Sequence, residues 1–186
     1  MKKILCLLLA ALTLLLAGCG VSDQEVVDSI PTLSLEASGS GASDQDVKDA
    51  IPALSLETGG NGVEIPAYSY SWTVTNRWGS SASVIADTAH PLEAQEDLTS
   101  VTLTAGETVS LYFSKRPDSV TVTYWGAQET DHENSAQVET AYLNDTFRFT
   151  TPEAEGPLVF QITAQWTGYQ DVSGTVSYAF TTAAEE

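Results

Sequence analysis

The sequence predicts an all-β protein, an antiparallel β-sandwich of about eight strands standing behind an N-terminal region of different character. Three observations predict it. From Val63 onward, apolar residues recur at every second position in short runs. Clusters of Gly, Pro, Asn and Asp separate those runs. No part of this region carries a sustained helical period, and the alternate positions are largely Ser and Thr, as on a sheet with one wet face.

The strands follow in order. Tyr70, Trp72 and Val74 alternate with Ser71, Thr73 and Thr75. Weaker runs lie at Ala82 to Ala86 and Leu98 to Leu103. Val109-Leu111-Phe113, Val120-Val122-Tyr124 and Phe147-Phe149 come next, then the longest, Leu158-Phe160-Ile162-Ala164-Trp166, and last Val176-Tyr178-Phe180. Breakers fall between them at Trp78-Gly79, Ala105-Gly106, Arg116-Pro117-Asp118, Asn144-Asp145, Pro152 to Pro157 and Thr167-Gly168. Roughly 120 residues suffice for a sandwich that buries about two-thirds of its unfolded surface. An immunoglobulin-like arrangement is the first expectation and a jelly roll the second. The cysteine pair of antibody domains is absent.

Residues 22–62 precede this domain as a duplication. Ser22 to Gly41 and Ser43 to Gly62 share 13 of 20 aligned residues at a period of 21. Each copy opens with a capping-like pair, Ser22 with Glu25 and Ser43 with Asp46, and is interrupted by Pro31 or Pro52. All 16 aromatic residues lie at Tyr68 or later, and residues 20–62 carry a net charge of −7. Such a segment is expected to form no core, and two repeats are too few for a solenoid, so residues 19–62 read as a flexible tether. The alternative is that an Ile-Pro-x-Leu-Ser-Leu-Glu segment docks as an edge strand on the following domain or on a partner.

At the N-terminus, Lys2-Lys3 precede an apolar run from Ile4 to Ala17. Fourteen helical residues span about 21 Å, short of the roughly 30 Å hydrocarbon layer, so residues 1–18 read as a cleaved signal peptide. Leu16-Ala17-Gly18-Cys19 resembles the lipobox of bacterial lipoproteins. The resemblance implies diacylglyceryl transfer to Cys19, cleavage before it, and a lipid-anchored location on the extracytoplasmic face of the cell membrane. Two acyl chains at about 0.8 kcal/mol per methylene give on the order of 20 kcal/mol, a lasting anchor.

Cleavage removes Cys6 and acylation occupies Cys19, which excludes disulfides, cysteine nucleophiles and thiolate metal sites. Losing Lys2 and Lys3 leaves five basic residues against 25 acidic ones, a net charge of −20. That charge repels phosphate backbones and anionic headgroups, which argues against nucleic acid as a partner.

The β region has a resemblance of its own. His90-Pro91-Leu92, Pro117-Asp118-Ser119-Val120-Thr121-Val122 with Tyr124-Trp125, Ala164-Gln165-Trp166 and Gly174-Thr175-Val176-Ser177-Tyr178-Ala179-Phe180 resemble a module of Gram-positive envelope proteins. It occurs in small lipoproteins and in the extracellular ends of membrane sensors. The resemblance covers residues 68–181 and implies an extracytoplasmic β module with no known catalysis and no functional residues to carry over.

No signature for zinc hydrolysis, serine nucleophiles, phosphate loops or dinucleotides is present. The Asp131-His132-Glu133-Asn134 run reads as a solvated loop rather than a metal site, and carboxylates are too plentiful to mark a glycosidase pair. No catalytic residue, metal or cofactor is expected. Trp72 and Trp166 lie on apolar strand faces and are expected in the core. Trp78 and Trp125 fall at strand ends beside glycine, Trp125 with parity opposite to Val120, Val122 and Tyr124. These two are the candidate ligand-facing residues. The expected protein is therefore an anchored module at residues 63–186 that binds an envelope protein or peptide. A glycan-binding module or a purely structural spacer is the alternative.

Overall fold

The computed structural model describes residues 43–168 and 171–183. Residues 1–42, with the signal peptide, Cys19 and the first repeat, lie outside the described residues. Two antiparallel sheets face each other, as the alternating runs require. One sheet has five strands and the other seven.

In chain order the elements are α1 (Asp44–Asp49), β1 (Leu54–Thr58), β2 (Asn61–Ile65), β3 (Ala67–Thr75) and β4 (Ser81–Ala86). Then come β5 (Thr99–Val101), β6 (Thr108–Phe113), β7 (Ser119–Gly126), β8 (Ala136–Val138), β9 (Ala141–Leu143), β10 (Thr146–Thr150), β11 (Leu158–Thr167) and β12 (Val172–Thr182). All eight runs read from the sequence are strands. Four further ones bring the total among the described residues to twelve.

The last eight, β5 to β12, have immunoglobulin connectivity. β9, β10 and β6 share one sheet, β8, β7, β11 and β12 the other, and β5 runs parallel to β12 at the edge. β1 to β4 are two hairpins added in front. The β1–β2 hairpin extends the first sheet beyond β6, and the β3–β4 hairpin extends the second beyond β12.

Even-numbered residues of β11 and β12 point inward. Phe160 and Phe180 stack at 4.9 Å, and Trp72 meets Trp166 edge to face at 5.1 Å. Trp72 and Trp166 are core residues, as expected. β3 crosses close to β12, and a Cβ on Gly174 would collide with the Ser71 carbonyl, so that position tolerates no side chain.

The tether assignment fails for the second repeat. Residues 43–62 belong to the domain, which therefore includes residues ahead of Val63. Ser43 caps α1 through a reciprocal box with Asp46, and Val47 on the next turn is fully buried. β1 pairs with β2 on one side and β6 on the other, with Leu54 and Leu56 fully buried. The segment is thus an interior strand, one step beyond the edge strand of the alternative reading. The physical reason is that a segment without aromatics can still fill a core whose aromatics come from elsewhere. The buried Tyr178 hydroxyl donates to the Pro52 carbonyl at 2.6 Å, tying the repeat to β12. Gly59 and Gly60, at φ +53 and +82, close the two-residue β1–β2 turn that a right-twisted hairpin favours.

Candidate functional site

Trp78 sits on the turn joining β3 and β4. Asn76 builds that turn, its side-chain oxygen accepting the Trp78 N–H at 2.9 Å and the Ser80 N–H at 3.0 Å. Gly79 follows at φ +81 and donates to the Asn76 carbonyl at 2.9 Å. Hydroxyl pairs Thr75–Ser81 and Thr73–Ser83, both at 2.8 Å, tie the two strands below it. The result is a braced hairpin whose apex holds an indole 79% exposed. The Arg77 guanidinium lies 4.8 Å from the ring centroid and covers one of its faces. Ile85, on the same hairpin and on edge strand β4, is 67% exposed.

Trp125 is not ligand-facing, which corrects the sequence expectation. Its parity does put it on the outer face of its sheet, but that face is covered there. Leu92 and Val159 pack with it as a small second core, with Trp125 only 5% exposed. The cover is residues 87–98, a strap laid across the sheet. Its fastenings are Tyr68, whose hydroxyl donates to the Ala89 carbonyl at 2.8 Å, and Gln95, whose amide reaches the Leu92 and Ala127 carbonyls at 2.9 and 3.1 Å.

The register also separates the two tryptophans. Thr75, Val172 and Ser119 mark one end of the sheet, whereas Trp125 pairs with Val159 at the other. β12 runs nine residues from Val172, level with Val74, to Thr181, level with Trp125 through Val159, so along the strands the two tryptophans stand at least about 30 Å apart and form no shared platform.

The strap also creates a cluster that the sequence did not reveal. His90 and His132, 42 residues apart, stack with centroids 3.9 Å apart and nearly parallel rings. His90 meets Trp125 edge-on at 4.8 Å, the Trp125 indole N–H donates to the His132 carbonyl at 3.0 Å, and Glu93 reaches His132 at 3.5 Å. The Leu92 N–H donates to His90 Nδ1 at 3.3 Å, which requires that nitrogen to be unprotonated. Burial and then the neighbouring His132 hold the His90 pKa below its ordinary value, with Glu93 opposing. No sequence signal links the two histidines, since only the fold brings their loops together.

The acidic loop around His132 spends its carboxylates on itself. Glu129 accepts the Thr130 and Asp131 N–H groups and the Asn134 amide, and Asp131 accepts the Glu133 N–H. Among the described residues no three His, Cys, Asp or Glu side chains converge as a metal cluster. A cavity of about 220 Å³ lies among Leu103, Ala105, Thr151, Pro152 and Leu158, without a titratable side chain in its wall. Among the described residues no helix is long and apolar enough to cross a membrane. No family model, curated protein or solved structure matches this chain.

Proposed function

We propose that this protein is a lipoprotein anchored through acylated Cys19 on the extracytoplasmic face of the membrane, where its sandwich binds a protein or peptide partner of the cell envelope. The observation that carries the binding half is the Trp78–Arg77 pair at the braced apex of the β3–β4 hairpin. Tryptophan and arginine dominate the energetic centres of protein interfaces, and a preorganised turn loses little entropy on docking. Exposed Ile85 extends the apolar surface along the same hairpin.

A glycan-binding module ranks second. Sugar stacking needs an open aromatic face and gains from a second ring alongside. Arg77 covers one face of Trp78, and Trp125 is buried at the far end of the sheet. A spacer without a ligand gives no reason for an indole held this far into solvent. No catalytic residue is assigned.

Two measurements test the reading on the full chain. Cys19→Ala should move the protein from the membrane fraction to the soluble fraction while its β-sheet signal persists. If the variant stays in the membrane, the anchor is wrong. Cross-linking in intact cells should trap a protein neighbour, and Trp78→Ala should reduce that adduct at least tenfold. An unchanged adduct removes the hairpin from the interface.

A further inference from the structure

The second repeat is a structural key to the first. Its fully buried apolar side chains are Val47, Leu54 and Leu56, and their counterparts 21 residues earlier are Val26, Leu33 and Leu35. The cap Ser43 corresponds to Ser22, its partner Asp46 to Glu25, and Pro52, whose carbonyl accepts the Tyr178 hydroxyl, to Pro31. Five of the seven differences fall at Asp46, Lys48, Ala50, Ala53 and Asn61, none of them buried. A sixth replaces buried Thr58 by the smaller Ala37. Apart from Thr58, every side chain that α1 and β1 bury is present in the first copy.

We propose that the slot between β2 and β6 filled by β1, with the adjoining seat of α1 beside β3 and β4, is a peptide-binding site whose second occupant is the first repeat, residues 22–36 of the same chain. β6 offers the incoming strand only backbone partners and two leucine pockets, and both copies satisfy these equally. The seventh difference decides which copy rests there. Gly59 at φ +53 becomes Ser38, and Val63 and buried Ile65 of β2 correspond to Ala42 and Asp44. The first copy can therefore supply α1 and β1 but neither the tight turn nor β2. The resident copy holds the slot, and the first repeat takes it when the resident is released. β2 then stays joined to β3, and residues 37–60 loop out.

On the anchored reading, this exchange alters reach. With the resident copy docked, 23 residues separate Cys19 from Ser43, whereas docking the first copy leaves two before Ser22. The change of 21 residues is about 70 Å at full stretch. The exchange itself does not depend on the anchor.

Disulfide trapping in the full chain tests the proposal, with Cys6→Ser and Cys19→Ser removing the native thiols. Ser55 lies directly opposite Tyr112 across β1 and β6, and Ser34 is its first-repeat counterpart. Tyr112→Cys with Ser55→Cys should cross-link almost fully. Tyr112→Cys with Ser34→Cys should cross-link weakly, then rise at least fivefold within the monomer once Leu54→Asp and Leu56→Asp expel the resident. That chain should also keep a cooperative melt, which Leu33→Asp with Leu35→Asp should abolish. As a milder arm, Leu54→Ala should lower the melting temperature less with the first repeat intact than with Leu33→Asp present. Equal losses in that arm, no rise in the Ser34 cross-link, or a cross-link formed only between molecules would each overturn the proposal.

Discussion

Trp78 and Trp125 begin from the same local situation, a tryptophan at a strand end beside a glycine, and finish in opposite environments. Trp125 is still inside a ladder, paired with Val159, so its side chain is committed to one face of a sheet. Trp78 lies one turn beyond the paired residues of β3 and belongs to neither face. The difference teaches that strand membership assigns a direction, while a distant segment decides whether that direction ends in solvent. For Trp125 the deciding segment is the strap at residues 87–98.

The largest contrast should appear when Trp125 is truncated. Trp125→Ala leaves Leu92 and Val159 around a void and deletes the indole donor to the His132 carbonyl. Large-to-small aromatic changes in a core cost about 3–5 kcal/mol, so urea unfolding should show a loss of that size. A loss below about 1 kcal/mol would mean that the strap does not shelter this ring in solution. Leu92→Ala removes the strap's own contribution to the same cluster and should cost about 2 kcal/mol by the same measurement.

A smaller effect should follow acidification. The unprotonated Nδ1 of His90 receives the Leu92 N–H, and burial lowers its folded pKa below the unfolded value of about 6.5. Below that value the unfolded chain binds more protons than the folded one. The contribution of His90 is therefore complete above about pH 6.5 and is lost as the pH falls through the folded pKa. The groups facing the ring are His132 and Glu93, while the packing partners Trp125 and Leu92 do not titrate in this range. Urea midpoints at pH 7.5 and 5.5 should differ more for the native chain than for His90→Asn. Equal differences would show that the pair does not couple to folding.

How much of this was legible in the sequence follows from the same contrast. Period-two runs exposed eight of the twelve strands among the described residues, while β1 and β2 fall in or beside the segment expected to be a tether. β8 and β9, at three residues each, are too short to display a period. The parity of Trp125 correctly set it apart from Val120 and Val122, yet nothing nearby announces that Leu92 covers it. The second repeat departs from its expected role as a tether for a related reason. It has no aromatics of its own, yet Val47, Leu54 and Leu56 need only share a core supplied by Trp72, Phe160 and Tyr178. Contacts between distant segments carry both corrections, and a local reading contains no term for them.

The smallest effect on stability belongs to Trp78, and it is the sharpest test of the comparison. Trp72, Trp125 and Trp166 are each at most 5% exposed, against 79% for Trp78. Acrylamide should therefore quench one emitter of four, and Trp78→Phe should remove nearly all of the quenchable fraction while shifting stability by less than about 0.5 kcal/mol. Trp125→Phe should leave the quenchable fraction intact while costing stability. If both substitutions removed similar quenchable fractions, the strap would be opening freely, and the outer face near Trp125 would return as a binding surface. If Trp78→Phe destabilised the fold appreciably, the exposed indole would be a packing residue in solution, and the hairpin would lose its claim to a partner.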